Sequence, residues 1–399
     1  MLYRCHDATG AERDWRAGLK NSNSLQYAEI ANRLGYLLVE QGRNAEAEPL
    51  FREAWQVRKD KLGEDNFDTE QSMSRLAHAL EKLQRYSEAE SLYEKSIEIR
   101  KRIFGAEHEA TLGAMNNIAI LYNLEGRYRE AEGLAKAILE KRAKAFGKNS
   151  SVIVNSIDIL ADTYANEKRY AEAKPLYEDA LRIRQATLGK THPDTLLSIS
   201  RLAGLYQWEK RYKEAELLYK QVLQIREERL GKEHIDTASS LDDLGKLYRS
   251  EGRYADSEPL LKRALKIRTE KLGEENPDTI TVKEDFAVLC ESQGRSATAQ
   301  SMLEDALRYR KKTLGDNDLT TAYCMISLAD AYKMQGHFKA AEPLYEKGLE
   351  TTKNILGDKD PETIDALQRL AALYESEGRR GEAKVLREKI TKAGQTVGK

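Results

Sequence analysis

Carboxylates gather at places where they could hold a cation or a basic side chain. Asp242 and Asp243 stand 42 residues before Glu284 and Asp285, and Asp158 and Asp162 lie further upstream. Carboxylates grouped in this way steer and select positively charged ligands. Their spacing matches no loop that wraps a divalent cation, so no metal site is expected. The six histidines are scattered, and three of them, His108, His192 and His234, fall on one position of a 42-residue spacing, which suggests a repeated turn role. Cys5, Cys290 and Cys324 are too few and too dispersed for a disulfide framework. No Cys/His group has zinc spacing, no nucleophile–base set is suggested locally, and the sequence contains no Gly-x-x-x-x-Gly-Lys-Ser/Thr phosphate loop. The chain is expected to be no enzyme, with no catalytic residue, no metal and no cofactor.

Bulk properties narrow the partners further. Charged residues make up 33% of the 399 residues and almost cancel, leaving a net charge of −1. That is not the basic footprint of a nucleic-acid binder. No apolar run approaches the ~20 residues that span a bilayer, so no membrane partner is expected. The start, Met1-Leu2-Tyr3-Arg4-Cys5, has no apolar signal region, and the few cysteines suit a reducing compartment. A cytoplasmic protein is expected.

The elements that carry these residues repeat every 42 residues from about Leu25 onward. Gly63, Gly105, Gly147, Gly189, Gly231, Gly273, Gly315 and Gly357 keep one strict register. Within residues 193–234, Leu202, Ala203, Leu205 and Tyr206 recur at helical spacing, and so do Ala215, Leu218, Tyr219, Val222, Leu223 and Ile225. Each unit therefore reads as a helical hairpin with apolar stripes that only a neighbouring hairpin can cover. Gly42, Gly126, Gly252, Gly294, Gly336 and Gly378 break the hairpins. Asp68-Thr69, Asp194-Thr195, Asp236-Thr237 and Asp278-Thr279 are expected to cap the first helices. Pro193, Pro277 and Pro361 precede first helices, whereas Pro49, Pro175, Pro259 and Pro343 are expected in the first turn of second helices. The fold class is all-α, an α-solenoid of stacked antiparallel hairpins wound as a right-handed superhelix. The organisation is residues 1–24 as an extension or capping helix, then an array over 25–399 with eight full repeats and a truncated ninth as the C-terminal cap.

The pattern Leu-Ala-x-x-Tyr, Gly-Arg-Tyr-x-Glu-Ala-Glu-x-Leu-Tyr and Ala-Leu-x-Ile-Arg, with Leu202-Ala203, Tyr206, Ala215, Tyr219 and Val222 as one instance, resembles the tetratricopeptide repeat. The 42-residue period and the tail Leu223 to Gly231 resemble the kinesin-light-chain type. Kinesin light chains carry a heptad coiled coil ahead of their repeats, and the 24 residues before the first repeat here show no heptads.

The resemblance implies a protein–protein adaptor whose first helices line a concave face that holds a partner's peptide. Carried onto this sequence, the groove residues are Arg75, Asn116, Asn117, Asp158, Asp162, Arg201, Trp208, Asp242, Asp243, Lys246, Glu284, Asp285, Ser327, Asp330 and Met334. Their acidic excess points to a basic or amide-rich peptide, and Trp208 to an aromatic anchor. The lysine–asparagine–arginine clamp with which one subtype grips chaperone tails lacks its lysine beside Asn117 and Asn155. The tyrosines at 122, 164, 206, 248, 332 and 374 are expected in the core, and the arginines at 58, 100, 142, 184, 226, 268 and 310 in inter-helix salt bridges. Two other roles are open: a structural or self-associating scaffold, and a sensor module serving a separate signalling ATPase.

Overall fold

The structure, a computed structural model, describes residues 8–21 and 23–395. Among the described residues there are nineteen α-helices, one 3-10 turn and no strand. They divide into two compact units, one reaching to Arg229 and the other starting at Leu230.

The N-terminal unit opens with α1 (Ala8–Asn21), whose Trp15 and Leu19 pack onto the first hairpin. The hairpins follow in order: α2 (Ser24–Glu40) with α3 (Asn44–Leu62), α4 (Phe67–Lys82) with α5 (Tyr86–Phe104), and α6 (Glu109–Leu124) with α7 (Tyr128–Phe146). Then come α8 (Val154–Asn166) with α9 (Tyr170–Leu188) and α10 (Pro193–Trp208) with α11 (Tyr212–Leu230). The C-terminal unit continues with α12 (Ile235–Ser250) and α13 (Tyr254–Leu272), α14 (Pro277–Ser292) and α15 (Ser296–Thr313), α16 (Leu319–Met334) and α17 (Phe338–Leu356), and α18 (Pro361–Ser376) and α19 (Arg380–Gln395). From α2 to α10, and again from α12 to α19, each helix packs against the next, so a second helix is held between its own first helix and the first helix of the following hairpin.

The core runs from hairpin to hairpin because each apolar stripe finishes the packing of the one before it. Leu34, Leu38, Phe51, Leu76, Leu80, Tyr93, Ile118 and Leu121 form one continuous cluster, all fully or nearly fully buried. Burying a side chain of Phe51's size contributes about 2–3 kcal/mol. Room for it comes from Gly35, where an added Cβ would lie 2.7 Å from the Phe51 ring. The equivalent residues Ala77, Ala119, Ala161 and Ala203 are small and fully buried.

Local chemistry sets the ends of the helices. The first-helix cap lies two residues earlier than the Asp-Thr pairs. Asn66, His192, His234 and Asn276 accept from the backbone N–H of Asp68, Asp194, Asp236 and Asp278. The aspartates lie in the first turn, where their charge favours the helix dipole. The threonines face inward, and Thr195 and Thr237 donate to the carbonyls of Gly189 and Gly231 at 2.8 Å. The histidine position therefore has a capping role.

Pro49, Pro175, Pro259 and Pro343 also differ from expectation, since each is the sixth residue of its helix and not in the first turn. The carbonyls that lose a donor belong to Ala45, Ala171, Ala255 and Lys339, all exposed residues, so water can take the vacant position.

Between hairpins, arginine replaces part of the expected tyrosine burial. Arg127, Arg169, Arg211, Arg253 and Arg379 lie 3.9–4.3 Å from the ring centroids of Tyr122, Tyr164, Tyr206, Tyr248 and Tyr374. Tyr122, Tyr206 and Tyr332 are only half-buried. Arg127 and Arg169 also reach back to Glu90 and Glu132 of the preceding hairpin, at 2.9 and 2.7 Å. Cys290, at the same repeat position, is fully buried, and its arginine, Arg295, reaches back to Glu258 at 2.8 Å; Cys324 is buried too, and Cys5 lies outside the described residues.

Candidate functional site

The face lined by the first helices holds the sequence-predicted residues in two different settings. One register column is structural. Asn116, Asp158 and Asp242 are buried, and Glu284 is half-buried. Asp158 pairs with Arg184 at 2.7 Å and Glu284 with Arg310 at 2.5 Å. Asn116 accepts from Ser156, whose hydroxyl is held by Arg142. The recurring arginines at 58, 100, 142, 184 and 310 make the inter-helix ion pairs expected of them. Arg268 instead donates to the Asp278 carbonyl and the Ser239 hydroxyl.

In the next columns of the first helices the carboxylates bring their own cations. In the N-terminal unit Arg201 reaches Asp158 at 3.2 Å and Asp162 at 3.3 Å, and Tyr177 donates to Asp162. Burial pushes the Asp162 carboxyl above its usual range, against the pull of Arg201. In the C-terminal unit Lys246 bridges Asp242 at 3.0 Å and Asp285 at 3.6 Å, with Asp243 beside it and Arg249 on Asp285 at 3.4 Å. Burial alone would lower the Lys246 ammonium, but Asp242 and Asp285 carry it above its usual value. Asp330 takes Tyr345, Lys333 and Arg369 together. Ser327, about one turn earlier on α16, is half-buried, and Met334 is half-exposed one turn on. Asp158, Asp162, Asp242, Glu284, Asp285 and Asp330 are thus each paired with a cation of the protein itself, so a basic peptide would have to compete with those cations.

What the first helices of the third and fifth hairpins leave exposed is apolar surface. Ile120, Leu124, Leu197 and Trp208 are 39, 50, 42 and 50% exposed. Trp208 packs one side against Tyr170, ring centroids 6.3 Å apart, and leaves the rest open. Asn117, on α6 with Ile120 and Leu124, is half-buried. Ile120, Leu124 and Leu197 escaped the sequence reading because an apolar residue in an amphipathic helix is taken as core. The available signal was that α6 and α10 carry apolar residues outside the Leu-Ala stripe.

Among the described residues no group of histidine, cysteine and carboxylate side chains could hold a metal, and no helix is long and apolar enough to cross a membrane.

Comparison with known proteins agrees with this architecture. Profiles of the tetratricopeptide repeat match residues 28–68, 68–144 and 154–194, and, in overlapping stretches, 196–270, 236–312 and 278–354. No curated protein matches the chain. Among solved structures, BtubC (BKLC) from P. vanneervenii is 24% identical over 58% of this chain and 92% of its own, with a TM-score of 0.47. A kinesin-light-chain-type protein of Podosopora anserina with nearly identical TPR-like repeats is 27% identical over 52% of this chain and 98% of its own, with a TM-score of 0.43. The apo form of RapI, 14% identical over 72% of this chain and 98% of its own, shares the fold with a TM-score of 0.51. The chain belongs to the tetratricopeptide-repeat family.

Proposed function

We propose that the protein is a non-enzymatic adaptor that holds a peptide segment of a protein partner along the face of its first helices, with the anchor in the third to fifth hairpins. The observation that carries this reading is the exposure of Ile120, Leu124, Leu197 and Trp208 on that face, while the carboxylates around them are paired. Large apolar side chains left open beside amides are what an anchoring aromatic or aliphatic residue of a partner needs, because the amides satisfy its backbone.

A peptide-display selection against the purified protein tests the proposal, run in parallel on Leu124→Asp plus Trp208→Asp. Both residues are half-exposed, so the double variant keeps its fold. Enrichment on the wild type that disappears on the variant supports the groove. Enrichment that survives on the variant moves recognition to another surface and favours the scaffold reading.

A further inference from the structure

We infer that Arg75 is a recognition site for a carboxylate on the partner segment, so that the partner presents an acidic side chain to the second hairpin. The inference rests on the groove reading above and specifies the ligand chemistry at its N-terminal end.

The neighbouring cations are already committed. Glu29 holds Arg33 at 2.8 Å and Arg58 at 2.7 Å, and Arg58 also donates to the Asp68 carbonyl and the Ser72 hydroxyl. Glu81 takes Lys82 at 3.1 Å and His78 at 3.7 Å. Glu70 is buried and used by Arg100, Ser74 and Ser96. Arg75, half-buried on α4, has no hydrogen bond and no ion pair among the described residues. Burial lowers its pKa and the nearby Arg58 guanidinium lowers it further, together outweighing the pull of Glu29, which Arg33 and Arg58 already share. A guanidinium in that position gains more from an incoming carboxylate than one already neutralised, because the pair forms in a partly desolvated site and relieves repulsion.

The surroundings fit a carboxylate on an extended chain. Tyr36, half-exposed on α2, lies close enough to Arg75 to influence it electrostatically. On the other side, one hairpin on, Asn117 makes no hydrogen bond among the described residues and can take the peptide backbone, beside the open Ile120 and Leu124. α4 and α6 both pack against α5, and an extended chain covers about 3.3 Å per residue, so a short peptide with its acidic residue at Arg75 carries its following residues towards Ile120 and Leu124.

The test uses the full-length protein and three synthetic peptides, Ac-Glu-Ala-Ala-Leu-NH2 and its Gln and Lys analogues, with affinity read from NMR titration. The wild type is expected to bind the Glu peptide about tenfold tighter than the Gln peptide, the size of one charge-assisted pair, and the Lys peptide weakest. In Arg75→Gln the Glu and Gln peptides become equal, whereas Arg33→Gln, whose arginine is already held by Glu29, keeps most of the preference. Equal binding of Glu and Gln peptides by the wild type overturns the carboxylate site. If that equal binding is still lost in Leu124→Ala, the groove reading stands without it. No binding of any of the three peptides also overturns the inference.

Discussion

Glu291 on α14 gives the sharpest quantitative prediction. Its carboxyl makes no hydrogen bond or ion pair among the described residues, and its Oε1 is fully buried. The cations around it, Arg249, Lys333 and Arg369, are engaged by Asp285, Asp330 and Asp365. Burial, reinforced by the Asp330 charge, pushes Glu291 up to about 7 from the usual 4.5. The sign follows from linkage: the unfolded chain ionises near 4.5 while the folded chain keeps its proton until about 7, so stability falls as pH rises between those values. At about 1.4 kcal/mol per pH unit the loss is at most about 3 kcal/mol. Glu291→Gln mimics the protonated form and removes the penalty. The variant should match the wild type near pH 4.5, gain steadily to about pH 7, and stay ahead by up to about 3 kcal/mol above it. Because repeat arrays open in parts, hydrogen exchange of α14 and α16 amides, measured from pH 5 to 8, reads the effect where it arises. A constant gap between the two proteins across that range, or a Glu291 carboxyl carbon that titrates near 4.5, refutes the reasoning.

Two further predictions concern the backbone. Gln84, Lys168 and Lys210 occupy left-handed conformations, φ 56, 62 and 59°, where the other hairpins use glycine. A left-handed residue with a Cβ costs about 1–2 kcal/mol, partly offset by glycine's unfolded-state entropy, so each change to glycine should raise the urea midpoint by about 0.5–1 kcal/mol of stability. Gly189, at φ 88° and ψ 163°, sits where only glycine is at ease, and Gly189→Ala should cost about 1–3 kcal/mol. His192→Ala should lose about 1 kcal/mol with its cap, whereas His192→Asn keeps it; equal losses in urea melts would show that the imidazole does not cap.

The repeat register was legible because glycine and proline have narrow backbone roles and recur every 42 residues, leaving little freedom in where hairpins start and end. What was misread lay one or two residues away. Asn66 and Asp68 both carry cap-competent oxygens, and only the backbone shows which one precedes the first helical turn. Histidine as a cap, as in His192 and His234, is rare enough to be read as a generic turn residue. Neighbours on one helix point about 100° apart, which is why Asp242 is buried against its lysine while Asp243, the next residue, is only half-buried. Residue types alone showed an acidic excess at Asp158, Asp162, Asp242 and Asp285. The cations that cancel it, Arg184, Arg201, Lys246 and Arg249, come from other helices or other turns.

The central claim is that a partner docks on the first-helix face of the third to fifth hairpins. It is tested most directly by methyl NMR of the protein titrated with its best display-selected peptide. The methyl signals of Ile120, Leu124 and Leu197 should shift together and saturate at one affinity, while Leu217, 70% exposed on the second helix α11, stays in place. Shifts at Leu217 with Ile120, Leu124 and Leu197 unmoved would contradict it.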